Sequence, residues 1–528
     1  MPGAPARPTP PLRPTMVPSR AAHYRRRGGP WDRGSLDATF AATPAAAVVD
    51  DDGRLEGDDV ERAVAGLAGR LRASGVRRGE VVAWQLPNGA AAVVLYRACW
   101  RLGAVAAPLH HRLGEAELAG ALAQVDPVVV LATADLPAAA RPRCRVLPRA
   151  TVDAVFDLLA PAPAVGTGSG AARPSDLAVA LFTSGSTGVP KAVLHTHRTL
   201  GYKAALMVDV HGLHGADAVL MPAPLAHVSG LLNGVLLPTA AGITTVVMAA
   251  WDPDRALQLI ERERVTFMGA PPVFFSQMAA SESFRPETVA SLRLVSTGGA
   301  SVSPAFVDAT TAAFDCRVKR TYGSTEAPTV TTSGAHDSPA RARDSDGRAT
   351  GEVEIAVHDP DSGHRRGTGE AGELWLRGPE LFVGYADRAA TARVITPRGR
   401  WFRTGDLGVL DEQGWLRITG RLSDIIIRAG ENISAAEVEA ALEAHPAVRH
   451  AVAVAVADPD VGERVAAFVE TTEPFDLEAC RAWFAARRVT RFKTPEYVFT
   501  LDALPVLAAG KPDRAALKAR AAELSRPS

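Results

Sequence analysis

From Leu55 to Val105, and again from Leu177 to Met268, segments with helical spacing such as Val60 to Ser74 alternate with short apolar runs such as Val81 to Leu86. Parallel strands need a crossover between them and bury both faces, so they read as brief unbroken apolar runs separated by helices. The alternation predicts an α/β protein built on two doubly wound, mostly parallel sheets. One stretch tests that reading, because no Asp, Glu, Lys or Arg stands between Asp217 and Asp252, a length that would span a bilayer. Pro222, Pro224 and Pro238, with Gly230, Gly234 and Gly242, interrupt it too often for one helix. It is expected to form strand, turn, helix and strand inside the large domain, with no membrane span.

A chain of 528 residues exceeds what one core can organise, so a second domain is expected. Pro161 to Pro174, which contains Gly166-Thr167-Gly168-Ser169-Gly170, reads as a linker ahead of a strand. From Gly351 to Leu416 short strands and turn residues replace the helices, which predicts a β-rich subdomain. Near Gly420 the pattern changes again. Ser434 to Glu437 spell an S-x-x-E capping box opening a helix with Val438, Ala441, Leu442 and His445 on one face. Val452, Val454 and Val456 then alternate as a strand, and Arg514 to Arg520 has helical spacing. A small α+β C-terminal domain over 421–528 is expected behind an N-terminal domain over 31–420.

Residues 1–30 carry Arg7, Arg13, Arg20 and Arg25 to Arg27 without an acid, as a transit peptide does. Pro8, Pro10, Pro11, Pro14 and Pro18 forbid an amphipathic helix there, so a disordered basic tail is expected, with Met16 as an alternative start. No secretory apolar region is seen, and Arg526-Pro527-Ser528 is not a peroxisomal tripeptide. Lys plus Arg number 58 and Asp plus Glu number 58, which leaves no global field to recruit nucleic acid or an anionic membrane. Cys99, Cys144, Cys316 and Cys480 have the spacing of neither a zinc site nor a disulfide framework, which suits a reducing cytoplasm.

The run Thr183-Ser184-Gly185-Ser186-Thr187-Gly188-Val189-Pro190-Lys191 follows the apolar strand Leu177 to Phe182. Small residues let backbone N–H groups approach an anion, hydroxyls add donors and Lys191 adds charge, the makings of a phosphate cradle. It is not a Walker A loop, since Pro190 precedes Lys191 and Ala192 follows it. Taken alone the string also reads as a plain turn. Four further strings follow in order: Tyr322-Gly323-Ser324-Thr325-Glu326, Trp401 to Asp406, Gly420-Arg421 to Asp424 with Gly430-Glu431-Asn432, and Gly510-Lys511. Together they resemble the signatures of the acyl-adenylate-forming superfamily, which holds acyl-CoA synthetases, carrier-loading adenylation domains and luciferases. The resemblance runs from about Trp31 to Leu517. Trp84-Gln85-Leu86-Pro87-Asn88 and Pro224-Leu225-Ala226-His227 are most similar to bacterial ligases for alicyclic, aromatic and medium-chain fatty acids.

The resemblance implies an ATP-dependent acid:CoA ligase using ATP, Mg²⁺ and coenzyme A. Thr183 to Gly188 and Lys191 would hold the phosphates, with Thr325 at the α-phosphate, Ser324 among the nucleotide-binding residues, and Glu326 and Thr187 on Mg²⁺. Tyr322 and Gly323 would meet the adenine, the Gly298-Gly299-Ala300 backbone its edge, and Asp406 and Arg421 the ribose. Lys511 would bridge the acid's carboxylate and the α-phosphate. His227, Val228, Leu231, Leu232 and Thr297 would line the acyl pocket. The C-terminal domain would then rotate about Ser423 and bring the Gly430, Glu431 and Asn432 loop to the CoA side.

Each of these residues has a plain reading outside that context: Glu326 as a solvated acid, Asp406 as a turn-forming Asx, Lys511 as a surface charge, and His227 as a core histidine. The sequence also departs from the family pattern. Ser423 stands where relatives carry Asp or Lys, and Ala435 where many carry Pro. The aryl-AMP ligases of siderophore pathways, which the chain also resembles around Ala21 to Trp31, place Asn where Val228 stands, so a mostly apolar acid of small or medium size is expected. Two other functions stay open: transfer to the phosphopantetheine of a carrier protein in trans, and a non-catalytic nucleotide-binding relative. A second copy of the chain stays open as a partner.

Overall fold

The computed structural model describes residues 12–14, 32, 34–43, 46–132, 145–146, 164–167, 172–183, 190–300, 302–398, 400–507 and 511–525. Of the basic tail, 12–14 alone are described, and Leu12 packs against the core under one of the sheets. The rest of the tail, half of the Pro161 to Pro174 linker and Cys144 lie outside the described residues.

The expected α/β architecture is the one observed. A nine-stranded sheet holds parallel strands in the order Arg317–Tyr322, Leu294–Gly298, Phe267–Ala270, Ala218–Met221, Thr244–Val247 and Val48–Val49, with short antiparallel strands at its edges. A six-stranded sheet places Val81–Gln85 and Val105–Leu109 at its centre. It runs parallel up to Leu177–Thr183, beside which Lys191–Thr196 returns antiparallel.

The two sheets share a core. Val82, Leu131 and Leu181 from one and Val219, Val247 and Phe267 from the other meet helices Gly57–Ala73, Ala90–Leu102 and His197–His211 in a single cluster. Ala90–Leu102 is buried on almost every side, its Tyr96 and Trp100 fully so, because it is sandwiched between the sheets rather than laid on a surface.

The uncharged stretch folds as strand Ala218–Met221, turn, helix and strand Thr244–Val247, with one correction. Helical backbone runs unbroken from Val228 to Ala241 despite Gly230, Gly234 and Pro238. A π-turn over Leu232–Leu236 makes this possible: it offsets the ladder just ahead of Pro238, where a regular helix would clash with the ring. Gly230 serves close packing, since a Cβ there would stand 2.1 Å from the Pro224 carbonyl oxygen. Among the described residues no helix is long and apolar enough to cross a membrane.

Glu354–His358, Gly372–Arg377, Phe402–Leu410 and Leu416–Arg421 form a four-stranded antiparallel sheet. The next sheet begins at Ile425 and is built on the long hairpin Val448–Asp458 and Gly462–Thr471. Ala451, Ala453 and Ala455 face helix Ala435–Glu443, while Val452, Val454 and Val456 face helix Arg514–Leu524, so both sides of the strand are covered. The capping box does not form. Ser434 Oγ donates instead to the Thr419 carbonyl at 2.7 Å, and Glu437 pairs with Lys493. A hydroxyl has one proton to give, and here it ties the helix start back to the preceding sheet.

Candidate active site

In open α/β sheets ligands bind beyond the carboxyl ends of the strands, and the candidate residues collect there. Strand Leu294–Gly298 delivers Gly298 and Gly299, strand Arg317–Tyr322 delivers Tyr322 and the turn to Glu326, and strand Ala218–Met221 leads to His227. A Cβ on Gly298 would stand 2.2 Å from the Thr321 carbonyl oxygen, so any side chain would push these neighbouring strands apart.

Asp406 and Arg421 come from separate motifs but are direct cross-strand partners, and Arg421 Nε lies 2.5 Å from Asp406 Oδ1. The Tyr322 hydroxyl donates to Asp406 Oδ2 at 2.7 Å. Burial pushes the Asp406 carboxyl upward, and Arg421 and Tyr322 pull it back. Asp406 in turn holds Arg421 firmly protonated. Each carboxylate oxygen keeps a second lone-pair direction for an outside donor such as a ribose hydroxyl.

Lys511 joins this group from the C-terminal domain. The residue as a whole is exposed, but its tip reaches the strand end: its Cε lies 3.4 Å from where a Cβ on Gly299 would stand. Desolvation lowers its pKa below the ordinary lysine value and Arg421 adds to the fall, while Asp406 and Glu326 oppose it. The turn is held by the Leu507 N–H, which donates to the Lys511 carbonyl at 2.7 Å. His227 also feels Lys511; burial first, then that ammonium, brings its pKa down to about 4. The His227 Nε2 is buried with no hydrogen-bond partner among the described residues.

Two residues with no role in the sequence reading, Tyr385 and His195, support these groups. The Tyr385 hydroxyl donates to Glu326 Oε1 at 2.7 Å, and Lys191 Nζ lies 5.6 Å from the centre of the same ring. His195 Nε2 lies 2.8 Å from the Thr325 carbonyl, so Nε2 carries a proton and donates it there. Asn233, on the π-turn, lies against Gly269, where a Cβ would approach its Nδ2 to 3.0 Å. Asn88, quoted above only as part of a string, clamps the turn before His227. Its Nδ2 donates to the Ala223 carbonyl and its Oδ1 accepts from the Leu225 N–H. No local pattern announces such contacts, since each joins residues far apart in sequence.

Other candidates are placed as follows. Thr183 and Lys191 face each other across an antiparallel pair of strands. Ser184, Gly185, Ser186, Thr187 and Gly188 lie outside the described residues, as does Gly510. Leu231 and Leu232 are buried in the core shared by the two sheets, with Val228 packed against it, and Thr297 is fully buried. Gly430, Glu431 and Asn432 form an exposed hairpin tip on the C-terminal sheet. Among the described residues no cluster of three His, Cys, Asp or Glu could hold a metal, so an ion at Glu326 would take most of its ligands from phosphate oxygens and water.

Residues 36–386 match the family described as AMP-binding enzyme, and residues 437–511 match the AMP-binding enzyme C-terminal domain. The chain is 34% identical to a medium-chain fatty-acid–CoA ligase of Escherichia coli strain K12, over 94% of this chain and 92% of that protein. It is 34% identical to a feruloyl-CoA synthase of an Amycolatopsis species, over 86% of this chain and 91% of that protein. The solved structure of the amide bond synthetase McbA from Marinactinospora thermotolerans superposes with a TM-score of 0.77 at 29% identity, over 91% of this chain and 98% of that one.

Proposed function

This chain belongs to the AMP-binding enzyme family, and from that premise we propose how its residues divide the work of an AMP-forming acid:CoA ligase. A carboxylate is a poor electrophile. ATP converts its oxygen into a leaving group, pyrophosphate departs, and the thiol of coenzyme A then displaces AMP. Both steps build negative charge on oxygen, so placed cations and donors should supply most of the catalysis.

Lys511 neutralises the repulsion between the acid's carboxylate and the α-phosphate as they come within bonding distance. Asp406 accepts from the ribose, with Arg421 and Tyr322 holding its orientation. The Thr183 to Lys191 string holds the phosphates. Glu326, steadied by Tyr385, would hold Mg²⁺ together with phosphate oxygens; bound there, the ion would offset phosphate charge. His227 closes the acid pocket, whose apolar lining favours a small or medium apolar acid. The observation that carries this reading is the arrival of Lys511, from the far end of the chain, among Gly299, Asp406, Arg421, Glu326 and His227.

A second step with a thiol requires Lys511 to withdraw. Arg421 is bound to the four-stranded sheet through Asp406, whereas Asp424 pairs with Arg514 at 3.5 Å and Arg514 is bonded to Glu439 and the Ala453 carbonyl. Leu422 and Ser423 stand between these two attachments, which supports a swing of the segment after 423. The test is a panel of carboxylic acids with ATP, Mg²⁺ and coenzyme A, read by mass spectrometry. A thioester with AMP is the expected product; accumulating acyl-adenylate without thioester would overturn the acceptor, and no turnover of any acid would overturn the function.

A further inference from the structure

His110 belongs to no motif and to none of the roles above. It follows strand Val105–Leu109, is 8% exposed, and lines a narrow cleft with Trp84, Pro87, Asn88 and the Pro224–Ala226 turn. Its ring centre lies 5.4 Å from that of His227, and it stacks at 4.6 Å on the exposed ring of His111. The cleft therefore lies beside His227, with the His110 ring between the two.

The protonation of His110 is fixed by its neighbour. The Arg112 backbone N–H donates to His110 Nδ1 at 3.1 Å, so that nitrogen carries the lone pair and a neutral ring must bear its proton on Nε2. Burial first, then His227, His111 and Arg112, keeps the ring neutral with a pKa of about 4. Yet Nε2 is buried with no hydrogen-bond partner among the described residues. An unmet buried donor is unfavourable, a cost that is removed when a ligand supplies the acceptor.

We propose that His110 is a specificity-determining residue of the ligase, its Nε2–H donating to an acceptor oxygen of a co-substrate in the cleft. Two sources share that chemistry: an amide carbonyl on the arm of the thiol, or an oxygen on the chain of the acid. The assignment rests on the acid:CoA ligase reading, so the wild-type enzyme is assayed first. If it forms no thioester, that reading fails independently of His110.

With an active wild type, two substitutions separate the ring's nitrogens. His110→Asn keeps an acceptor for the Arg112 N–H and removes the distal donor; His110→Gln keeps a distal donor and gives up the acceptor. The Asn variant should raise one KM about 10-fold, the size of one hydrogen bond, while the Gln variant stays within about 2-fold of wild type. A raised KM for coenzyme A with unchanged ATP–pyrophosphate exchange assigns the oxygen to the thiol arm; a raised KM for the acid in that exchange assigns it to the acid. The opposite order, Gln impaired and Asn intact, would show that the ring serves only the Arg112 turn and would overturn the proposal, as would two unaffected variants. Should a variant fail to fold, the wild-type protein labelled in its histidines gives the same answer. The His110 Nε2–H resonance should move downfield as saturating coenzyme A or acid is added, and an unmoved resonance with both refutes the assignment.

Discussion

The two halves of the site are built in opposite ways. On the side proposed for the nucleotide Tyr322 and Arg421 are both bonded to Asp406, Glu326 to Tyr385, and the Thr325 carbonyl to His195. On the side proposed for the acid His227 and His110 each keep a buried nitrogen with no partner among the described residues. A pre-bonded network holds its geometry without a ligand and suits a substrate that never varies, as ATP does not. Unpartnered ring nitrogens leave affinity to the ligand, which suits the part of the reaction where family members differ. Lys511 stands between the halves and belongs to both.

The largest effect should therefore come from Lys511. Lys511→Ala is expected to slow adenylation by about 10²–10³-fold, with less effect on thioester formation from supplied acyl-adenylate; pyrophosphate exchange and a single-turnover thioester assay measure the two steps. Because its pKa lies below the ordinary lysine value, activity should fall with rising pH sooner than a solvated lysine would allow, and the Ala variant should lose that alkaline limb.

Asp406→Ala tests whether the nucleotide side is one unit. It strands a buried tyrosine hydroxyl and a guanidinium, so AMP affinity by calorimetry should fall about 10–100-fold and denaturant unfolding should show a loss of about 1–3 kcal/mol. His227→Ala should instead raise the KM of the acid and leave that of ATP unchanged. If both variants altered both constants equally, the division between the halves would be lost.

Ser423→Pro should spare exchange and cut thioester formation about 10-fold, because it stiffens the segment about which the C-terminal domain would turn. Equal loss in both assays would count against the swing.

A separate effect, on stability rather than activity, concerns the buried histidines. His195 and His197 are held neutral by burial, with pKa values of about 4 against 6.5 for an ordinary histidine. Between those values the unfolded chain binds protons that the native one does not, so stability is full above about pH 6.5 and falls as pH drops toward about 4, by up to about 1.4 kcal/mol per unit for each ring. Denaturant melts at pH 7 and pH 5 measure this, and equal midpoints would mean the rings are protonated in the fold.

Much of the architecture was legible because its signals are local. The strands at Val81 and Leu177, the helix before Ser74 and the change of pattern near Gly420 each follow from spacing within a few residues. The misreadings arose where distant contacts intervened. Ser434 spelled a cap but bonds Thr419, and Pro238 spelled a break but follows a π-turn. The helix Ala90–Leu102 is apolar nearly all round, which marks it as enclosed, but not that a sheet would cover each of its sides.

By itself the sequence determined which chemical groups are present and the order of their strings, because anion and ribose binding demand particular side chains within a few residues of one another. Only the tertiary structure decided that Asp406 faces Arg421, that Tyr385 holds Glu326 and that Lys511 reaches Gly299. Those facts depend on strand register and on contacts between distant segments, and no local pattern of residues encodes them.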